Sequence, residues 1–408
     1  MPARARSSRH LLACIALLLG VGCAPVSAHA LAAAPTLAPA ADAADARRTL
    51  HANNPRAPIP LTASSKTQPW QVRLMWAFDL MDTASGGRAR GWKAPALIDL
   101  RLTRHWRLAH GLDSYAHIDL IRIFGSNPSR DAGDLQTLDN LAARHAWRLY
   151  RAFWQVGDAR EHWALRLGWQ GYDGLFGLAP DAGDLLNSSF GQMPTSSQAG
   201  TPIYPQTAPG VSARWHPDAF YVMAGLWSGV PRDPGISQGL NLPRRGGDGG
   251  LQALELGLDR HGRYKLALGA WALHRAGVAQ QAHRGVYALT DIVLLGAGSA
   301  RHLGGFVQWG QTQPYQSAIG RYVGAGVRLD TRRHGRVSLS MARALLSPSF
   351  RLQHPGSARA ETAYELTWRK RIDAQLALQP DVQYIVHPAL APRAGHALEI
   401  GLRVDGSF

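Results

Sequence analysis

From Gln71 onward the chain is written with a period of two. In QVRLMWAFDL, Val72, Leu74, Trp76, Phe78 and Leu80 alternate with Gln71, Arg73, Met75, Ala77 and Asp79, so an extended backbone carries its apolar side chains on one face. The pattern returns in LIDLRLTRHW, where Ile98, Leu100 and Leu102 oppose Asp99, Arg101 and Thr103. In HWALRLGWQG, Trp163, Leu165, Leu167 and Trp169 oppose Ala164, Arg166, Gly168 and Gln170. LQALELGLD, ETAYELTWRKRI and AQLALQPDVQYIV read the same way, and HALEIGLRVDGSF puts Leu398, Ile400, Leu402, Val404 and Phe408 on one side of a last strand. Polar turns such as DRHGR and DTRRHGR separate some pairs and long Gly/Pro segments separate others, as hairpins with unequal ends require. The fold class is therefore all-β and antiparallel.

Alternation alone does not say where the apolar face points. In a soluble sandwich it turns inward. In a bilayer it turns outward around a closed barrel, because every backbone polar group there must find its partner inside the sheet. Three features favour the transmembrane β-barrel: segments near span length, arginine recurring on the polar face, and Trp or Tyr near strand ends, where an interfacial girdle sits. Closure would also tie down a terminal strand that otherwise frays, by pairing it with the first strand near residues 70–80. Beyond the leader no run of about 18 apolar residues offers a helical span.

The N-terminus sets the compartment. Arg4, Arg6 and Arg9 precede the apolar run LLACIALLLGVG, and SAHA at 27–30 supplies small residues around a cleavage site, so residues 1–30 read as a secretory signal peptide. Cys23 raises a lipid-anchor alternative, but Gly20 holds the position where that pattern wants a large aliphatic residue. Both cysteines, Cys14 and Cys23, lie in this segment, which leaves the exported chain no disulfide or thiol chemistry. Residues 31–67, rich in Ala, Pro, Thr and Ser, read as a flexible periplasmic lead-in, and 68–408 as the barrel.

The formal charge of +16 is carried almost wholly by singly spaced arginines, without a long basic run, and export argues against a nucleic-acid partner. Enzyme motifs are missing: there is no H-E-x-x-H and no G-x-S-x-G, and GAGVRLD at 324–330 continues as a strand rather than opening a phosphate-binding helix. No metal and no cofactor is expected.

Between 166 and 229 the chain runs through Asp173 to Leu186, Asn187, Ser188, Ser189, Phe190 and Gly191, then Pro205 and a strand around 210–215. This resembles the carbohydrate-selective porin family of the OprB type, in which a Gly-x-x-Asp strand end leads to a Leu-Asn-Ser-Ser-Phe-Gly segment. The C-terminal block resembles that family's ending through Glu361, Glu365, Gln379, Pro380, Asp381, Gln383, Tyr384 and Pro388, and Glu255, Gly269 and Trp271 resemble its mid-barrel hairpin. The resemblance implies an outer-membrane barrel of sixteen strands that admits small sugars such as glucose by passive diffusion. It also implies that Phe408 is the aromatic end offered to the barrel-assembly machinery. A short middle segment, and Ala or Leu where aromatics are expected in several hairpins, depart from the family pattern. They leave the sugar open.

A wall that recognises a sugar needs bidentate donors and acceptors for hydroxyls and a flat aromatic for the ring face. By strand parity Arg166, Glu255, Glu365, Arg369 and Arg403 face the lumen, and Asp381 and Gln383 join them as pore-lining candidates, with a bulge at Pro380 expected to re-aim Asp381. Asp173 is a further candidate at the strand end, and Asn187, Ser188 and Ser189 form a polar cluster in a long loop that either folds in to narrow the pore or caps its own backbone. Trp169 and Trp271 are assigned to the lipid-interface girdle. Two alternatives stand beside the sugar channel: a pore preferring anions or sugar acids, and a plugged barrel that binds surface polysaccharide. The partners expected are small sugars, outer-membrane lipid and the assembly machinery, in a monomer or a trimer.

Overall fold

The computed structural model describes residues 69–158, 160–228, 249–260, 262–274, 282–296, 301–313, 317–331 and 333–408. The signal peptide of 1–30 and the lead-in of 31–67 lie outside them. The strands are β1 (Gln71–Gly86), β2 (Gly91–Lys93), β3 (Pro95–Arg107), β4 (Leu112–Gly125), β5 (Ala146–Asp158), β6 (Trp163–Gln170), β7 (Ala208–Trp215), β8 (Phe220–Ser228) and β9 (Gly250–Arg260). They continue as β10 (Tyr264–His274), β11 (His283–Leu295), β12 (Arg301–Thr312), β13 (Ile319–Thr331), β14 (Gly335–Leu346), β15 (Ala360–Arg371), β16 (Leu376–Val386) and β17 (His396–Ser407). β2 and β3 both pair with β1, from β3 onward each strand pairs antiparallel with the next in sequence, and β1 pairs with β17, so the sheet closes on itself. The three residues of β2 continue the β1 pairing of β3 in the same register, so β2 and β3 form one strand interrupted at Ala94 and the barrel has sixteen strands.

Closure uses the end of the chain as the sequence suggests. Met75 pairs with Ser407 and Asp79 with Arg403, and beyond the strand Leu74 and Phe408 exchange two backbone hydrogen bonds of 3.1 and 2.9 Å. The apolar stripes face outward: Val72, Leu74, Phe78 and Leu80 on β1, Leu165 and Leu167 on β6, and Ile400 and Leu402 on β17 are all exposed. Trp92, Trp147, Trp163, Trp215 and Trp368 are exposed as well, as the aromatic girdle requires.

One end of the barrel carries tight turns, where Gly262 and Gly335 take φ of +80° and +83°, a region open to glycine without steric cost. The other end carries long connections, and two of these, 126–145 between β4 and β5 and 171–207 between β6 and β7, fill the lumen. Tyr172, Phe176, Leu186, Phe190 and Met193 from the second connection pack against inward wall residues including Trp227, Leu251, Trp271, Tyr287, Phe306 and Tyr322. Each large apolar side chain so buried contributes about 1.5–3 kcal/mol. This interior apolar cluster corrects the assignment of Trp271 to the girdle: its side chain is 3% exposed and belongs to the cluster, while Leu268 on the same strand faces out. Trp169 is buried too, one residue beyond Gly168, whose φ of +132° breaks the strand alternation.

A register shift between β4 and β5 has a local consequence. Asp119 pairs with Arg151 and Leu120 with Leu149, which leaves Tyr150 as the extra residue of a bulge. Tyr150 and Arg151 are both buried, while Trp147 and Trp154 to either side are exposed. At Pro380 no such shift occurs. The β15 ladder keeps one register on either side of a gap, pairing Thr367 with Asp381 and Lys370 with Leu378, and the β17 ladder runs through it unbroken. The expected bulge is therefore replaced by missing pairs next to a residue that has no N–H, and Asp381 faces inward by plain alternation.

Candidate functional site

The wall formed by β9–β17 is an anchoring surface for the two inward connections. Glu365 accepts the backbone N–H groups of Leu186 at 2.6 Å and Asn187 at 3.1 Å. Glu255, fully buried, accepts Gly177 N–H at 2.7 Å and the hydroxyls of Tyr221 and Tyr287 at 2.7 and 2.6 Å, with Lys265 Nζ 3.5 Å away. Glu361 accepts N–H groups from Leu135, Gln136 and Ala389 at 2.8, 2.9 and 2.7 Å. A buried carboxyl oxygen left without a donor would be costly, and these N–H groups and hydroxyls supply the donors.

Gln383 bridges both connections: its amide donates to Leu138 O at 2.8 Å and accepts from Asn187 Nδ2 at 3.2 Å, while a further bond joins it to Asp381 at 3.0 Å. Asn187 does both things the sequence left open. It enters the lumen, and its Oδ1 caps the short helical turn Ser188–Gly191 through Ser189 N–H at 3.1 Å. Ser188 N–H donates to Thr137 O at 2.9 Å, which ties the two connections together. Asp173 closes the base of the second, accepting Tyr204 N–H at 2.8 Å.

Two of the predicted arginines belong to the seam and its neighbour. Arg403 meets Asp79 at 2.7 and 2.5 Å and Asn140 Oδ1 at 2.8 Å. Arg369 forms a bidentate pair with Asp405 and donates to Gln379 Oε1 at 3.3 Å. Arg166 stands apart, on the β3–β6 wall. There the polar side chains bond mainly to one another. Arg166 Nε donates to Gln155 Oε1 at 2.8 Å and its guanidinium lies 4.1 Å from the centre of the Phe153 ring. Arg151 binds Asp119, and Arg101 binds Asp99 at 2.8 Å with Asp119 3.6 Å away. His117 Nε2 lies 2.6 Å from Asp119, and the hydroxyl of Tyr115 is 2.7 Å from His117 Nδ1. Guanidinium forks, an amide, a carboxylate pair and two aromatic faces thus share one patch of wall.

The sequence reading found Arg166 but not Asp119, Arg151, Arg101 or His117. Arg101 and Asp99 were visible by parity in LIDLRLTRHW. Arg151 was not, because the bulge at Tyr150 shifts the alternation of β5. Among the described residues no group of His, Cys, Asp and Glu has the geometry of a metal site.

A closed antiparallel barrel of sixteen strands, with loops folded into a polar lumen, defines an outer-membrane porin. The family model described as carbohydrate-selective porin, OprB family, matches residues 98–408, and the chain belongs to that family. Among solved structures it is similar to the high-pH structure of Pseudomonas putida OprB, with a TM-score of 0.71 at 17% identity over 83% of this chain and 94% of that one. It is also similar to the outer-membrane channel DcaP of Acinetobacter baumannii (TM-score 0.56, 11% identity, 86% and 100% covered) and to an anion-selective porin from Comamonas acidovorans (TM-score 0.52, 12% identity, 83% and 99% covered). At these identities the structural likeness shows the fold. No curated protein sequence matches the chain.

Proposed function

We propose that the protein is a passive channel for glucose-sized sugars, with the β3–β6 wall as the surface the solute meets. The observation that carries this reading is the division of labour in the lumen. Glu255, Asp291, Glu361 and Glu365 on β9–β17 are occupied by loop backbone, whereas Arg101, Arg151, Arg166 and Gln155 sit with Tyr115 and Phe153 on the opposite wall, bonded to other wall side chains. Such groups replace the water contacts a sugar loses in the constriction, and weak binding keeps release fast. Export through the signal peptide delivers the chain to the outer membrane, and Phe408 serves as its recognition end for assembly.

The test is liposome swelling with glucose, a disaccharide, a neutral amino acid and a sugar acid of matched size. Faster entry of glucose than of the amino acid supports the sugar channel. Equal rates would make it a general porin, and absence of swelling would favour the plugged, polysaccharide-binding barrel. Among the described residues Arg166 makes no ion pair, which is the observation behind an anion-preferring version. Cation preference in a salt-gradient reversal potential would remove it.

A further inference from the structure

Three arginines stand on the outside of the barrel near the end that carries the long connections: Arg284 on β11, Arg321 on β13 and Arg343 on β14, each exposed. Parity puts them on the lipid side. Val286 is exposed two residues from Arg284, and Leu339 four from Arg343, while Gly285, Tyr322 and Ala342, one residue away from each arginine, are buried. Gln311 pairs with both Val286 and Arg321, and Val323 pairs with Arg343. Arg321 and Arg343 are therefore diagonal neighbours about 7–8 Å apart, and Arg284 lies two strands across and two residues along from Arg321, or about 12 Å.

Three like charges so placed repel one another unless an anion lies among them. No Asp or Glu occupies an outward position on β11–β15 among the described residues, and none of the three arginines forms an ion pair there. Arg343 donates to Thr362 Oγ1 at 3.2 Å, which orients its guanidinium along the surface. Outward Trp309 and Tyr364 flank the group, so it sits at interfacial height beside apolar strand faces. In an outer-membrane barrel the end with long loops faces the cell exterior.

We propose that Arg284, Arg321 and Arg343 form a docking surface for the phosphate groups of an acylated, phosphorylated sugar lipid in the outer leaflet. The lipid's phosphates bridge the guanidinium groups and its acyl chains lie along Val286, Val327 and Leu339. The proposal concerns the outside of the barrel and is independent of what passes through it.

The probe is bis-phosphorylated lipid A added to the folded full-length barrel in detergent, read by native mass spectrometry and thermal unfolding. The wild type is expected to retain lipid A and to unfold at higher temperature with it. The same lipid stripped of phosphate should do neither, a comparison that requires no variant. The triple variant R284Q/R321Q/R343Q should bind on the order of a hundredfold more weakly. Arg260→Gln, at the opposite end, should bind as the wild type does. Equal retention of the phosphate-free lipid, unchanged affinity in a folded triple variant, or the same stabilisation by millimolar inorganic phosphate alone would overturn the proposal.

Discussion

Arg403 and Asp79 face each other across the one strand pair that joins the two ends of the sheet, and the guanidinium meets the carboxylate through two hydrogen bonds. Asp139 lies 3.6 Å from the same guanidinium, so one cation answers two acids where the first inward connection passes the seam. Arg403→Ala removes the counter-charge from a buried acid and is expected to destabilise the barrel by about 3–5 kcal/mol. The paired variant D79N/R403Q leaves no lone charge from this pair and should cost less. Urea unfolding followed by tryptophan fluorescence compares them, and a pair as damaged as the single variant would disprove the coupling.

Glu365→Gln weakens the acceptor held by Leu186 and Asn187 without touching the outer surface. The expected result is a larger and noisier single-channel conductance with barrel unfolding shifted by no more than about 1–2 kcal/mol. Conductance identical to the wild type would mean that the apolar cluster alone fixes the connection.

Arg166→Ala deletes a guanidinium whose bonds go to other wall residues. Glucose entry into liposomes should slow relative to a small neutral solute, and Arg166→Lys should restore charge but not the forked donor geometry. Equal slowing of both solutes would point to a change in width instead of recognition.

Deleting Phe408 removes two backbone hydrogen bonds to Leu74 and an exposed aromatic end. Yield of folded protein in cells should fall more steeply than the yield of detergent refolding in vitro. Parallel losses in both would assign the residue to closure alone.

Asp134, in the first inward connection, has its carboxyl pushed up to about 6 by burial, against hydrogen bonds from Ser129 and from the N–H groups of Leu138, Asp134 and Thr137 that pull it down. An acid raised in the folded state stabilises it most below its unfolded pKa of about 3.9, and that contribution is lost as pH climbs through 6. Between pH 4 and 7 the wild type should therefore lose thermal stability relative to Asp134→Asn. A constant difference across that range would contradict the assignment.

Much of this architecture could be read from alternation. The outward stripes of β1, β6 and β17, the DRHGR and DTRRHGR turns and the pairing of the first and last strands follow from a period of two. Parity also put Glu255 and Glu365 inside. It did not reveal that their ligands are loop amides, because a backbone N–H leaves no trace in the letters of a sequence. Nor did it foresee Trp271 inside, since an apolar residue facing a lumen makes sense only once a loop comes in to cover it. Tyr150 and Arg151 were hidden by a single extra residue.

Glu255, Glu361 and Glu365 hold main-chain N–H groups, which every residue but proline possesses. The clamp is therefore blind to what the loop spells. Outside the side chains that the apolar cluster and Gln383 hold, positions between these grips can be rewritten while the loop stays moored at the same height, so one barrel can serve as a chassis on which new filters arise by substitution, without the scaffold being reinvented each time.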